Sequence, residues 1–360
     1  MTSSDKVLLV RSRVLPWKRA LAALVASSLV ALYVLSSSSC AAVINSSPGL
    51  RWWLFSNFGA QRVCPEMLKT SLTLRMQDQA PGIGRFFPNQ CNYTVNDDQQ
   101  TLQVNISGVG YAYIPTAKHI GFTLNVSVEY RPDFMIAGDD LYVWGKFSRN
   151  ISAPNFQLGY IENPVMDVAT TLTPLGSGAN ILGNQVVAGF LSRGFTVVEN
   201  SDTGKSFSLG ILSPPSKPFT PIQVDDDSSY TFSNETIDLY VGQRDFLGPF
   251  EVADDDQQLQ LKMNLTGNPI EFMVVSKATG DAWLAAYNNG VMGPAPVPGA
   301  IMGAQLNQGP TTKRLTLQPG IYYVVVDNTS TAGMVNPPLS LNPIFDSSSR
   351  LSYVAQLIEP

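Results

Sequence analysis

Apolar and polar residues alternate along much of the first half of this chain. Leu72 and Leu74 enclose Thr73, and the same period of two recurs further on. Alternation of this kind is typical of antiparallel strands that bury one face against a core. The segments that show it are 72–76, 102–106 and 124–128, with shorter runs at 111–114 and 141–147.

Near residue 182 the period lengthens. Leu182, Val186 and Phe190 recur four residues apart, and Gly194 follows where a helix would need a left-handed residue to end. Two further strand patterns, at 195–199 and 205–212, close the segment as a hairpin. We therefore expect an α+β first domain, in which a curved antiparallel sheet wraps around one long amphipathic helix.

The stretch 213–229, SPPSKPFTPIQVDDDSS, contains four prolines and three consecutive aspartates. Proline favours an extended backbone and an acidic run resists burial, so the stretch has the character of a linker. The sequence thus predicts a first domain at 60–212 and a second domain at 230–360. Residues 1–39 would form a signal peptide and residues 40–59 a tether.

The second domain shows only strand patterns. Residues 259–265 alternate, and an apolar run at 321–326 follows a QPG turn behind residues 315–317. Residues 288–310 are too rich in Gly and Pro for regular structure. We expect an all-β sandwich here, so that the protein as a whole is mainly β with two domains.

Two resemblances to known families accompany these patterns. The segments RLTLQPGIYYVVVDN and DFLGPFEVADDDQQLQL resemble the final hairpin and the opening strands of the pre-peptidase C-terminal β-sandwich family, over residues 235–357. This resemblance implies an accessory module. The first domain resembles, by pattern only, the TULIP-like lipid-binding modules, which carry acyl chains in a groove between sheet and helix. A closed core in place of the groove is the alternative.

The chain opens with a cationic stretch, an apolar run from Ala20 to Leu35 and a serine tract that ends at Cys40. This order is typical of a secretory signal, and the apolar run is shorter than the roughly 20 residues of a spanning helix. The stretch resembles the lipobox of bacterial lipoproteins, although Ser37 stands where that motif usually has Leu. The resemblance implies an acylated Cys40 as membrane anchor and, since Ala41 follows, an outer-membrane location facing the periplasm or the cell surface.

Two alternatives to lipid attachment remain open. In the first, the signal is cleaved within 36–42 and the product is secreted. In the second, the leader stays as the anchor of a type II membrane glycoprotein. Acceptor triplets N-x-S/T support the second alternative at Asn45, Asn92, Asn105, Asn125, Asn150, Asn234, Asn264 and Asn328.

Only Cys64 and Cys91 remain after the leader, and in an exported protein they should pair. Closing that loop would stabilise the fold by about 3 to 4 kcal/mol in the chain-entropy model. Two free buried thiols are the alternative. Zinc is disfavoured, because it needs three or four His or Cys ligands and His119 is the single histidine of the chain.

The formal net charge is −5, and Lys and Arg are scattered rather than gathered into a stripe. Nucleic acid is therefore not expected as a partner. Carboxylates are dense at 225–227 and at Asp254, Asp255 and Asp256. The second group is a candidate calcium site, because calcium takes six or more oxygen ligands, and a solvated acidic turn is the alternative. No other cofactor is expected.

The leading functional hypothesis is a non-enzymatic, membrane-anchored envelope lipoprotein that binds a lipid, an apolar ligand or an envelope protein partner. One alternative is a surface adhesion or carbohydrate-binding protein that uses exposed aromatic residues. Another is a hydrolase that uses a pair of carboxylates drawn from distant parts of the fold. The aromatic candidates for the first alternative are Tyr142, Trp144, Trp283 and Tyr287.

Overall fold

A computed structural model describes residues 46–77, 79–114, 117–163, 184–200, 204–291, 299–330 and 348–360. The protein is mainly β, as the sequence predicts, with one curled antiparallel sheet in its first part and two smaller sheets in its second. Cys40 and Leu182 lie outside the described residues.

The first part is an antiparallel sheet of eight strands, in the order β1-β2-β3-β4-β5-β7-β8. Strand β4 has 20 residues and two neighbours on one side: β6 pairs with its first half and β5 with its second. The strands are β1 (Leu72–Leu74), β2 (Gly84–Asn96), β3 (Thr101–Ile114), β4 (Lys118–Ala137), β5 (Asp140–Asn150), β6 (Asn155–Ile161), β7 (Phe195–Asn200) and β8 (Gly204–Leu209).

A helical segment covers one face of this sheet. It consists of α1 (Pro48–Leu54), a π-helical turn (Phe55–Gly59) and α2 (Ala60–Met67). The side chain of Ser47 caps α1 by accepting a hydrogen bond from the backbone of Leu50. The segment predicted as a tether, residues 40–59, is therefore helical from Pro48 onwards and contributes buried residues to the core of the sheet.

The predicted helix near residue 182 is present where the structure describes it. Residues 184–186 are helical and lead into a π-helical turn, Val187–Leu191, whose apolar side chains face the sheet. Gly194 follows with a φ of 69°, the left-handed conformation expected for it. Twenty helical residues lie instead at the other end of the domain, in Pro48–Met67.

The second part is a sandwich of two four-stranded antiparallel sheets around an apolar core. The front sheet has the order β14-β11-β16-β9, and the rear sheet has the order β10-β15-β12-β13. Its strands are β9 (Ser229–Tyr240), β10 (Arg244–Val252), β11 (Gln258–Thr266), β12 (Ile270–Ser276), β13 (Ala300–Leu306), β14 (Gly309–Thr316), β15 (Gly320–Asp327) and β16 (Ser348–Ile358).

Two expectations for the second part are wrong. It is not all strands, because helix α3 (Lys277–Asn288) follows β12, begins at a capping Ser276 and buries Trp283 and Tyr287. Residues 288–310 do contain regular structure, since β13 pairs with β12 along the rear sheet. Composition alone misses β13 because backbone pairing stabilises a strand despite its glycine and exposed side chains.

The two parts pack against each other through a shared apolar cluster. Phe87 and Tyr111 of the first sheet contact the outer face of the rear sheet and helix α3, which contribute Phe246, Tyr287 and Tyr323. The rear sheet is therefore buried on both faces. This explains why β12 and β15 are nearly continuous apolar runs rather than alternating ones.

Within the described ranges, every helix is either too short or too polar to cross a bilayer.

Candidate functional site

A buried arginine lies at the junction of the two parts. Arg85 of β2 has a side chain that is 3% exposed. Its Nε and Nη2 donate to the two carboxylate oxygens of Asp245 on β10, both at 3.2 Å. Its Nη1 donates to the hydroxyl of Thr73 on β1 at 2.8 Å. A buried guanidinium needs this full set of partners because an unpaired buried charge is strongly unfavourable.

The charge of Arg85 is held firmly. Burial alone would lower its pKa, but Asp245, Tyr353 and Glu235 outweigh burial and keep the pKa well above its ordinary value. Tyr111 completes the cluster: its hydroxyl donates a short hydrogen bond to Asp245 and accepts one from the backbone of Phe246 at 2.9 Å. This part of the junction is buried and densely hydrogen-bonded.

Glu235 of β9 lies between this buried cluster and solvent. Its Oε2 accepts hydrogen bonds from the Tyr353 hydroxyl at 2.8 Å and from Arg85 at 3.1 Å. The Thr73 hydroxyl lies 2.7 Å from both carboxylate oxygens. Burial raises the pKa of Glu235, yet Arg85 and the hydrogen bonds from Thr73 and Tyr353 outweigh burial and lower it overall. The carboxylate is therefore ionised and fixed in orientation.

A cleft opens beside Glu235. It has a volume of about 300 Å³ and polar walls from the β1–β2 connection and from β9. Arg75 lies on one wall, with Nη2 4.0 Å from Oε1 of Glu235, a separation too long for a hydrogen bond. Gln185 fixes the backbone of Arg75 from both sides by accepting from its N–H and donating to its carbonyl. The lining residues are Arg75, Gln79, Ala80, Asn234, Glu235 and Thr236.

On the far side of Asp245 lies a cavity of about 10 Å³, large enough for one water molecule. Behind Tyr287, which lines this cavity, His119 is almost fully buried, and its ring stacks on Tyr287 with centroids 4.1 Å apart. Neither of its ring nitrogens has a hydrogen-bond partner among the described residues. Burial lowers the pKa of His119 to about 4, so the ring is neutral at physiological pH.

The arrangement suits binding better than acid–base catalysis. Glu235 and Asp245 form a carboxylate pair, since both contact Nη2 of Arg85 at 3.1 and 3.2 Å. A glycosidase needs one carboxyl group with a raised pKa to act as the acid. Here the shared guanidinium and the surrounding hydrogen bonds outweigh burial and lower the pKa of Glu235. Glu235 therefore does not supply the protonated carboxyl group that hydrolysis requires.

The sequence-predicted disulfide is confirmed. Cys64 of α2 and Cys91 of β2 are bonded, with Cα atoms 5.2 Å apart, and the bridge ties the helical segment to the sheet.

The two acidic runs come close together near the end of the chain. Desolvation and the neighbouring carboxylates of Asp256 and Asp226 raise the pKa of Glu359. In the part of the chain that the structure describes, no group of three or more His, Cys, Asp or Glu is arranged to hold a metal ion. Calcium at Asp254, Asp255 and Asp256 gains no geometric support and stays a prediction.

The predicted aromatic platforms do not exist. Tyr142, Trp283 and Tyr287 are at most 1% exposed, and Trp144 is 8% exposed. They are core residues. Trp283 and Tyr287 pack with Phe87 of the first sheet, and Tyr142 and Trp144 pack with Val198 of β7. The indole of Trp144, for example, donates to the carbonyl of Leu212 at 2.8 Å.

Sequence reasoning missed Arg75, Arg85 and Glu235. Arg85 carried a usable signal: it stands between Gly84 and Phe86 in an otherwise apolar stretch, and a charge inside a buried strand is rarely found without a partner. The partners could not have been named, because Asp245 and Glu235 lie 160 and 150 residues further along the chain.

No protein-family model matches this chain, and no curated protein matches its sequence. Solved structures similar to it include a glycoside hydrolase family 43 arabinoxylan arabinofuranohydrolase from Bacillus subtilis, in complex with cellotetraose. That match covers 76% of this chain and 67% of the other, with 7% sequence identity and a TM-score of 0.20. A TM-score this low carries no argument about fold or activity. The resemblances suggested by the sequence stay predictions.

The leading functional hypothesis is corrected. The structure removes the groove that its lipid-binding part required: Val63, Met67 and Leu191 fill the space between helices and sheet with no exposed surface. An acyl chain would have to displace this core.

Proposed function

We propose that this protein is an exported carbohydrate-binding protein and that the cleft beside Glu235 holds a saccharide unit. The observation that carries the proposal is that an ionised carboxylate, fixed in orientation, and a guanidinium lie 4.0 Å apart in the cleft. Of two neighbouring hydroxyl groups on a sugar, one can donate to the carboxylate and the other can accept from the guanidinium. A saccharide would thus gain two charge-assisted hydrogen bonds.

The remaining walls support the same ligand class. Gln79 and Asn234 carry amide groups and Thr236 a hydroxyl, so each can both donate and accept, as sugar hydroxyls do. A volume of about 300 Å³ lies at the lower end of the range for small-molecule sites. The cleft also lies between the two parts of the protein, where ligand sites commonly form.

Preorganisation strengthens the proposal. Thr73, Arg85 and Tyr353 hold Glu235 in place without occupying all of Oε1, and Gln185 holds the backbone of Arg75. A ligand therefore has little side-chain entropy to remove at Glu235 when it binds.

The test uses protein produced in a bacterial periplasm, which forms the disulfide and adds no N-linked sugar. We expect binding on a glycan array of glucose, xylose, mannose and galactose oligosaccharides. The variant Arg75→Met removes the guanidinium at a partly exposed position, and it should weaken binding of the array hits at least tenfold. Glu235→Gln should do the same but also disturbs the buried cluster.

Glu251→Gln is the matched control. Its carboxylate pairs with Lys69 at 3.0 Å, away from the cleft, so binding should be unchanged. An array with no binding at all, or an Arg75→Met protein that binds as well as the parent, would refute the proposal.

A further inference from the structure

Eight asparagines of the chain stand in the triplet Asn-x-Ser/Thr, the acceptor of N-linked oligosaccharides. The structure describes seven of them, and Asn45 lies outside the described residues. An attached oligosaccharide is bulky and hydrated, so the side-chain nitrogen that bears it must face solvent. Exposure in the folded protein therefore separates the triplets that can carry a sugar from those that cannot.

Six of the seven described acceptors are exposed, and each lies within a strand rather than in a loop. The sequence neighbours of Asn105, Asn125 and Asn264 are buried, since alternate residues of a strand point to opposite faces. Leu124 and Val126, for example, flank Asn125 and are at most 1% exposed. The six exposed acceptors are Asn92, Asn105, Asn125, Asn150, Asn234 and Asn264.

Three of these acceptors gather on the outward face of β2, β3 and β4. Asn92 is directly opposite Asn105, and Asn105 is directly opposite Ser127, whose hydroxyl donates to its amide oxygen. Ser107, the hydroxyl residue of the Asn105 triplet, is directly opposite Asn125. Helices α1 and α2 pack on the other side of the same strands. We call the surface formed by Asn92, Asn105 and Asn125 the asparagine face.

Asn328 differs from the other six. It has no exposed surface, and its Nδ2 donates to the carbonyl of Leu239 at 3.0 Å. Its backbone N–H donates to the carbonyl of Gln243 at 2.8 Å. A sugar on this nitrogen could not fit among the strands of the sandwich.

We infer that the asparagine face carries N-linked oligosaccharide and that Asn328 stays unmodified. The co-reactant is an oligosaccharide joined through C1 to a lipid diphosphate. The bond from Nδ2 to C1 forms while the bond from C1 to the diphosphate oxygen breaks, and the lipid diphosphate leaves with the electron pair. The amide proton passes to a base of the transferase.

The disulfide supports passage of the chain through the compartment in which this transfer takes place. Cys91 is bonded to Cys64 and directly precedes Asn92, and disulfides persist in the oxidising spaces of the secretory route. The leader predicted from the sequence would deliver the chain there.

The inference stands independently of saccharide binding in the cleft. Asn234 lines that cleft, so a sugar on it would compete with a soluble ligand. Binding is therefore measured on unmodified periplasmic protein, and modification is measured on native protein. If either experiment gives a negative result, the result of the other can still be interpreted.

The first test treats native protein, isolated from its source cells, with peptide N-glycosidase in water enriched in ¹⁸O. Release of the sugar converts its asparagine to aspartate and labels it, and mass spectrometry of peptides locates the label. We expect label at one or more residues of the asparagine face and none at Asn328. Absence of label from all three, or label at Asn328, would overturn the inference.

Variants expressed in the same cells test the Asn105 acceptor. Ser107→Ala destroys its triplet at a partly exposed position, and the intact mass should fall by one oligosaccharide. Ser107→Thr keeps the triplet and should keep that mass. Asn96→Gln, on the same strand as Asn92 but outside any triplet, is the matched control. Equal sugar content in Ser107→Ala and Ser107→Thr would contradict the assignment to Asn105.

Discussion

Arg85 and Asp245 are 160 residues apart in sequence and form a bidentate ion pair, with both donor–acceptor distances at 3.2 Å. The pair joins the first sheet to the rear sheet of the sandwich. Thr73, Tyr111, Glu235 and Tyr353 occupy the remaining hydrogen-bonding positions around it. The two parts of the protein therefore share a polar centre as well as the apolar cluster around Tyr111.

Removing Arg85 should destabilise the protein strongly. In Arg85→Met, Asp245 and Glu235 keep their burial but lose their cation, and breaking a buried pair in this way costs about 3 to 5 kcal/mol. Urea denaturation at neutral pH measures the loss. Arg350→Met is the control: that arginine pairs with Asp238 but is 56% exposed, so its loss should cost less than about 1 kcal/mol. Similar losses in the two variants would show that the buried cluster is not a structural centre.

Stability should fall as the pH is lowered from about 6.5 to about 4, because His119 is held neutral in the folded state. Burial lowers its pKa from 6.5 to about 4, so the unfolded chain takes up a proton first. At about 1.4 kcal/mol per pKa unit, the loss amounts to about 3 kcal/mol at the acidic end.

His119→Phe should remove this part of the pH dependence while keeping the ring stack on Tyr287. The free energy of unfolding is measured at pH 7, 6, 5 and 4 in both proteins. Glu235 adds a separate loss at lower pH, since its lowered pKa stabilises the fold only while the carboxylate is ionised. Parallel curves for the two proteins between pH 6.5 and 4 would contradict the role given to His119.

Gly121→Ala should disrupt the junction. A Cβ at this position of β4 would overlap the backbone carbonyl of Asn288 at the end of α3, and backbone cannot move aside as a side chain can. Overpacking of this kind costs about 1 to 3 kcal/mol or more. In the control, Gly49→Ala, the added methyl meets nothing within 4 Å, so a change within about 0.5 kcal/mol is expected by thermal unfolding. A Gly121→Ala protein as stable as Gly49→Ala would mean that the two parts are not in close contact here.

Loss of the disulfide should destabilise the first part of the protein. The double variant Cys64→Ser, Cys91→Ser opens a loop of sequence separation 27, with an expected cost of about 3 to 4 kcal/mol in the chain-entropy model. Urea denaturation of the parent protein with and without reductant provides the comparison. The reduced parent should match the variant, and a reductant effect that persists in the variant would point to a different bond.

Much of the fold follows from local pattern. The alternating runs at 102–106 and 124–128 became the centres of β3 and β4, and Gly194 adopts the predicted left-handed conformation. These features succeed because burial of one strand face repeats every second residue and because glycine tolerates a positive φ.

The helices were harder to predict. In Pro48–Met67 a π-helical turn at Phe55–Gly59 shifts the apolar residues away from a regular 3.6-residue period, so the sequence pattern predicts a tether at 40–59 in place of the first helix. Helix α3 did carry a signal, since Trp283 and Tyr287 are four residues apart behind a capping Ser276. That single spacing lies between two strand patterns and is too short to distinguish a helix from a strand.

The candidate site could not be read from the sequence. Arg75 lies on the connection between β1 and β2, Arg85 lies on β2 and Glu235 lies on β9. Only the packing of the two parts brings them together. The tyrosines and tryptophans chosen as binding platforms are buried because they lie on strands and a helix that are covered on both sides. Local pattern identifies which residues alternate but not what covers each face.

A crystal structure of the unmodified protein, soaked with the oligosaccharide that binds most tightly on the array, tests the central proposal most directly. The account predicts a sugar ring in the cleft, with one hydroxyl within hydrogen-bond distance of Oε1 of Glu235 and a neighbouring hydroxyl within reach of the Arg75 guanidinium. A sugar bound elsewhere on the protein, with the cleft empty, would contradict it.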